Sequence, residues 1–156
     1  MVRQIFWDIL LKLADRYRSE AEQCLVSGSY LAGLVCVRAA LETVFIARYL
    51  LELFDRSEKE LNEYGFRVDE EQGLIEGVPL PVLKDLINQA YTDRIITKVG
   101  RDVAHRIREW GNKIHPVRIA DQRRLPKISR RNLQARLRDL HLVIDQLTRT
   151  LNAWLK

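Results

Sequence analysis

The run YLAGLVCVRAALETVFIARYLLELF, residues 30–54, decides the fold. Its apolar residues fall on nearly every side of the helix that they predict. A helix of that kind is either buried among neighbours or spans a membrane. Arg38, Glu42, Arg48 and Glu52 interrupt the run at intervals. That pattern argues against a membrane span and for the central helix of a bundle.

The flanks carry the complementary faces. In residues 2–26, Ile5, Ile9, Leu10, Leu13, Tyr17, Ala21, Cys24 and Leu25 recur at helical spacing. Ser27-Gly28-Ser29 breaks this helix, with Gly28 ending it and Ser29 placed to cap the next. Downstream, Ser57-Glu58-Lys59-Glu60 fits a capping box, and Gly65 can end the short helix that it starts. Residues 66–80 read as a polar loop with a short strand-like piece. Pro79 and Pro81 introduce a helix to about Tyr91. A further helix is expected over residues 94–114, stopped because His115 precedes Pro116. Residues 116–128 read as a basic loop. Ser129 caps a last helix whose Leu133, Leu137, Leu140, Ile144, Leu147, Leu151 and Trp154 form one apolar stripe. The expected architecture is all-α: one domain over residues 1–156, an antiparallel bundle of four to five helices.

Composition narrows the class. With 47% hydrophobic and 30% charged residues, the chain is expected to be an ordinary folded soluble domain. The opening residues lack the unbroken apolar core of a secretion signal. Cys24 and Cys36 are too few for a disulfide scaffold and fit reduced thiols in a cytoplasmic protein. His105, His115 and His141 are too scattered to suggest a zinc site, and no phosphate-cradling glycine loop or nucleophile elbow occurs. No metal or cofactor is expected.

Charge is divided unevenly. Residues 1–93 hold 10 Lys and Arg against 16 Asp and Glu, a net −6, whereas residues 94–156 hold 16 against 5, a net +11. A basic C-terminal third suggests a polyanionic partner. Arg118, Arg123, Arg124, Lys127, Arg130 and Arg131 could track a nucleic-acid backbone or form a solvated linker.

On the helix expected over residues 94–114, Gly100, Val103, Ile107, Gly111 and Ile114 make the core face, and Arg101, His105, Arg108, Asn112 and His115 make a polar side. Arg108, Asn112 and His115 stand at i, i+4 and i+7, one stripe if the helix persists that far. Arginine can hold a phosphate bidentately, histidine can move protons near neutral pH, and asparagine can orient either partner. The same residues also suit a helix end without any catalytic role. Arg38 and Glu42, one turn apart on the central helix, fit a buried ion pair that fixes packing. Equally, Glu42 could reach Arg108 or His115 and position it.

The segment Arg108-Glu109-Trp110-Gly111-Asn112-Lys113-Ile114-His115-Pro116 resembles the signature of the HEPN superfamily, an Arg followed after four to six residues by His. Arg38-Ala39-Ala40-Leu41-Glu42 and Gly111-Asn112-Lys113-Ile114-His115-Pro116 together resemble an uncharacterised bacterial branch of it. That branch also carries a Leu-x-x-Leu-Ile helix like the one within residues 83–90. The resemblance covers about residues 14–116. It implies a helical nucleic-acid-associated domain, often a metal-independent endoribonuclease with a composite site in a homodimer. Arg108 and His115 would then be the active pair, with Asn112 supporting. RNA would be the partner, and a toxin or defence system the setting. The rival reading is a non-catalytic helical module that binds nucleic acid or a protein partner, such as a toxin-like protein that it regulates. Small and aromatic surface at Trp110 and Gly111 is the expected dimer contact.

Overall fold

The structure is a computed structural model that describes residues 2–154, with side chains from 2 to 149. The described elements are α1 (Val2–Ser27), α2 (Tyr30–Leu53), α3 (Glu58–Glu63), β1 (Arg67–Asp69), β2 (Leu74–Glu76), α4 (Leu83–Thr92), α5 (Lys98–Lys113), α6 (Pro116–Gln122) and α7 (Arg130–Trp154). The fold is mostly helical, and its two strands form one small antiparallel hairpin.

α2 is the centre, as its composition requires. Eleven of its 24 residues are buried, and it packs against α1, α4, α5 and α7. Its length and hydropathy also match those of a membrane-spanning helix. Phe45, Leu41, Leu50 and Val37 are almost wholly enclosed. From α5 come Val103, Ala104 and Ile107, and from α7 Leu133, Leu137, Leu140, Val143 and Leu147. Leu151 and Trp154, the end of the expected α7 stripe, lie outside the described side chains. Burial of a large aliphatic or aromatic side chain stabilises by about 1.5–3 kcal/mol, so this shared core accounts for the coherence of the four longest helices.

α1 and α2 form a tight hairpin. Gly28, at φ +81°, turns the chain in the left-handed region, and Ser29 N–H donates to the Cys24 carbonyl at 3.0 Å. Ser29 begins α2 without a side-chain cap bond, contrary to the sequence reading. Its hydroxyl instead lies 3.2 Å from that of Ser27. Antiparallel packing of the pair is visible where Trp7 Nε1 donates to the Ala47 carbonyl at 2.7 Å. At the far end Arg3 donates to the Phe54 and Arg56 carbonyls and pairs with Glu70 at 2.6 Å, which ties the start of α1 to the end of α2 and to the hairpin.

The helix ends follow local chemistry. The capping box at Ser57 and Glu60 is complete, and the Ser129 hydroxyl accepts from Asn132 N–H at 3.2 Å to start α7. Two expectations change. α5 begins at Lys98 rather than near residue 94, because Arg94 takes a left-handed φ of +59° and the Thr97 side chain caps Gly100 N–H at 3.1 Å. Residues 116–128 are not all loop. His115 is extended, as a residue before proline should be, and Pro116 then opens α6 at a position where its missing N–H costs nothing.

Close approach of α2 to its neighbours depends on Gly33. A Cβ there would lie inside contact distance of the Leu133 methyls and 3.0 Å from Cys24 Cβ. Gly33→Ala should therefore destabilise the protein by about 1–3 kcal/mol through overpacking, despite the better helix propensity of alanine. Chemical denaturation checks this, and an unchanged or higher midpoint would contradict the tight α1–α2–α7 contact.

Candidate functional site

The candidate site forms where the N-terminal half of α2 meets the C-terminal half of α5. Leu31, Val35, Arg38 and Glu42 follow one another at i, i+4, i+7 and i+11, so they share one stripe of α2. This stripe escapes full burial: Leu31 is 48% and Val35 53% exposed. The Arg38 and Glu42 side chains retain 25% and 44% exposure, and their closest ion-pair distance is 3.8 Å. The expected buried ion pair is thus a long, half-solvated one, because this is the side of α2 that its neighbours leave open.

Arg38 is held mainly by α5. Its Nη1 donates to the Arg108 carbonyl at 3.1 Å. Its stem lies across Gly111, where a Cβ would come within 2.9 Å of Arg38 Cγ. The small surface at Gly111, expected to be free for a dimer contact, is therefore covered by the chain's own arginine. Trp110 is likewise half-buried, with Lys113 and Arg136 near its ring at 5.1 and 5.9 Å. Burial lowers the pKa of Arg38; Glu42 opposes this and the Arg108 charge adds to it. Arg38 Nε is buried and has no hydrogen-bond partner.

Arg108 is half-buried and belongs to a relay that runs back along α5. Its Nε donates to His105 Nδ1 at 3.3 Å, and His105 Nε2 lies 2.8 Å from Asn88 Oδ1 on α4. A guanidinium can only donate, so Nδ1 accepts, and the hydrogen of a neutral imidazole sits on Nε2 toward Asn88. Burial lowers the pKa of His105, and the Arg108 and Arg101 charges lower it further against the opposing Glu109 and Asp102. Arg108 Nη1 and Nη2 make no hydrogen bond to another described residue. A guanidinium bound through Nε alone keeps its two-pronged end for a planar or tetrahedral oxyanion.

The other sequence-derived residues divide. Asn112 stays on α5, half-buried. His115 stands just past α5, which ends at Lys113; it is extended, exposed and the residue that precedes α6. Among the described residues, hydrogen bonds join Arg108 to Arg38 and His105, and none joins the His115 side chain to them. Arg118, Arg123, Arg124, Lys127, Arg130 and Arg131 are all exposed on α6, the following linker and the start of α7. None forms an ion pair with another described residue. Arg136, one turn further, is instead tied to Asp139 at 2.9 Å. Among the described residues no group of three His, Cys, Asp or Glu side chains could hold a metal ion.

Sequence reasoning placed His105 on the polar side of α5 but gave it no role, and it missed Asn88. The i, i+3 spacing of His105 and Arg108 was a usable signal; the contact from α4 had none. Comparison with family models, curated proteins and solved structures finds no match to this chain.

Because the folded-state pKa of His105 is depressed, the unfolded chain binds its proton more readily. The stability that neutral His105 contributes is therefore complete above the ordinary imidazole pKa near 6.5. It is lost as pH falls through that value to the lowered one. Measured against His105→Gln, the stability advantage of wild-type protein should shrink on going from pH 7.5 to 5.5. A pH-independent difference between the two proteins would show that the imidazole is not desolvated.

Proposed function

We propose that the protein acts on RNA as a HEPN-type helical bundle, and that it is a metal-independent endoribonuclease with its site at the α2–α5 junction. The observation that supports this most is the open fork of Arg108, whose Nη1 and Nη2 bond no other described residue and whose charge lies close enough to Arg38 to act on it. Of the two carboxylates nearby, Glu42 lies 3.8 Å from Arg38, and Glu109 is exposed on α5 beside Arg108. Half-buried cations without full neutralisation favour an anionic ligand, and a phosphodiester suits the open fork of Arg108. The exposed arginines of α6 and the start of α7 extend this positive surface and would follow the RNA backbone.

In this reading Arg108 binds the non-bridging oxygens of the scissile phosphate and stabilises the charge that grows on them. His115 takes the proton of the ribose 2′-hydroxyl as O2′ bonds to phosphorus. The P–O5′ bond breaks, and His115 returns the proton to the leaving O5′, which leaves a 2′,3′-cyclic phosphate. Asn112 orients the phosphate or the imidazole. None of these steps uses a metal.

The site would be composite in a homodimer, where His115 of one copy serves Arg108 of the other. Half-exposed Leu31 and Val35, on the same stripe of α2 as Arg38, are a suitable contact beside such a site. The second reading is a binding module that holds RNA through Arg38 and Arg108 without cutting it; it is favoured by the lack of a hydrogen bond between the Arg108 and His115 side chains.

Incubation with a panel of structured and unstructured RNAs should yield 2′,3′-cyclic ends in the presence of EDTA. His115→Ala and Arg108→Ala should each abolish cleavage while leaving stability within about 1 kcal/mol. Arg108→Lys should restore little, since an ammonium lacks the planar fork. Uncut RNA at every enzyme concentration would end the catalytic reading. Binding alone should then remain, weakening steeply with added salt; salt-insensitive or absent binding would end the RNA reading as well. Light scattering at micromolar concentration should give about twice the chain mass, and a monomer there would remove the composite site.

A further inference from the structure

We infer that His105, set by Asn88, is a positioning residue that aims the Arg108 guanidinium, so that the oxyanion-binding geometry of the site is built from α4 as well as from α2 and α5. The inference rests on the proposed role of Arg108 in holding a phosphate.

The argument is one of donors and acceptors. Arg108 offers five N–H donors and no acceptor. Left to itself on a helix surface, its long side chain samples many rotamers, and fixing it costs conformational entropy. Here one donor, Nε, is engaged by His105 Nδ1 one turn earlier, at 3.3 Å. That contact restrains the guanidinium and leaves Nη1 and Nη2 without a hydrogen bond to another described residue. The contact is useful only while Nδ1 is an acceptor. A free neutral imidazole can carry its hydrogen on either nitrogen, and Asn88 Oδ1, 2.8 Å from Nε2, selects the form with hydrogen on Nε2.

The charge environment selects the same form. A protonated His105 would turn Nδ1 into a donor facing a donor, and would add a third positive charge beside Arg108 and Arg101. Arg38 completes the frame from the other side, since its Nη1 holds the Arg108 carbonyl and therefore the backbone from which the side chain springs. The backbone of Arg108 is thus held from α2, and its guanidinium by His105 on α5, which Asn88 on α4 sets in turn.

Two substitutions separate the halves of the imidazole. Asparagine at 105 places an amide oxygen about where Nδ1 stands and gives up the reach to Asn88, whereas glutamine reaches Asn88 and gives up the Nδ1 acceptor. With a short RNA oligonucleotide as the probe, His105→Asn should bind within about twofold of wild type. His105→Gln should bind about five- to tenfold more weakly, the loss of one hydrogen bond. Equal losses in the two variants, or none in either, would overturn the inference, because a merely structural histidine gives no reason for asparagine to rescue and glutamine to fail. NMR of the free protein gives a second readout that needs no RNA. The His105 imidazole should be the Nε2–H form, and the Arg108 Nε–H should exchange slowly in wild type and His105→Asn but quickly in His105→Gln. An Nδ1–H imidazole, or a fast-exchanging Arg108 Nε–H in wild type, would overturn the positioning role. Wild-type protein that meets both NMR expectations yet ignores RNA would instead overturn the reading of Arg108 as a phosphate ligand.

Discussion

A 24-residue helix with eleven buried side chains cannot stand in water alone, and covering it organises the whole chain. α1 folds back along it through a two-residue turn, and α4, α5 and α7 supply the remaining walls. The cover is incomplete on one stripe near the start of α2, where Leu31, Val35, Arg38 and Glu42 retain access to solvent. The candidate site lies on that stripe. It exists because a helix with apolar residues on every side has more surface to hide than this number of neighbours can cover, and Arg38 and Glu42 fall in the gap, whereas Arg48 is buried.

Packing and electrostatics meet at Gly111. Only a residue without Cβ leaves room for the Arg38 stem against α5, and the stem brings its guanidinium to the Arg108 carbonyl. The negative end of the α5 dipole helps to hold a cation there. Burial and the Arg108 charge nevertheless lower the pKa of Arg38, and Glu42 at 3.8 Å offsets this only in part. An anion bound between the two guanidiniums would relieve their repulsion. That trade is reasonable for a site and has no evident advantage for a purely structural contact.

Much of the fold was legible in the sequence because it depends on local or periodic signals. The all-round apolar character of residues 30–54 identified the central helix, and Ser57 with Glu60 and Ser129 with Asn132 marked helix starts that the structure uses. The failures have two causes, local signals that admit two readings and neighbours distant in sequence. Thr97 is an ordinary N-cap, but the delayed start of α5 also needs Arg94 in a left-handed conformation that arginine rarely favours. Pro116 was read as the end of one helix, although proline suits the first turn of another equally well. For the site, the stripe of Arg108 and Asn112 followed from helical spacing alone, and His115 stands just past the helix, at the pre-proline break that ends it. The covering of Gly111 by Arg38, 73 positions away by their numbers in the chain, and the contact of Asn88 with His105 could not be read from spacing, since no periodicity links different helices.

α6 has a further consequence. This seven-residue helix contains no buried residue, and Val117 and Leu125 beside its basic side chains are 61% and 80% exposed. A segment held by so little apolar contact is expected to open at a lower free energy than the core helices, as a separate unit of hydrogen exchange. A polyanion that gathers Arg118, Arg123 and Arg124 has to order this segment, and part of the attraction is consumed in doing so. The compensation would be adaptability: the same arginines could conform to backbones of different curvature, whereas Arg38 and Arg108 are held by hydrogen bonds within the bundle.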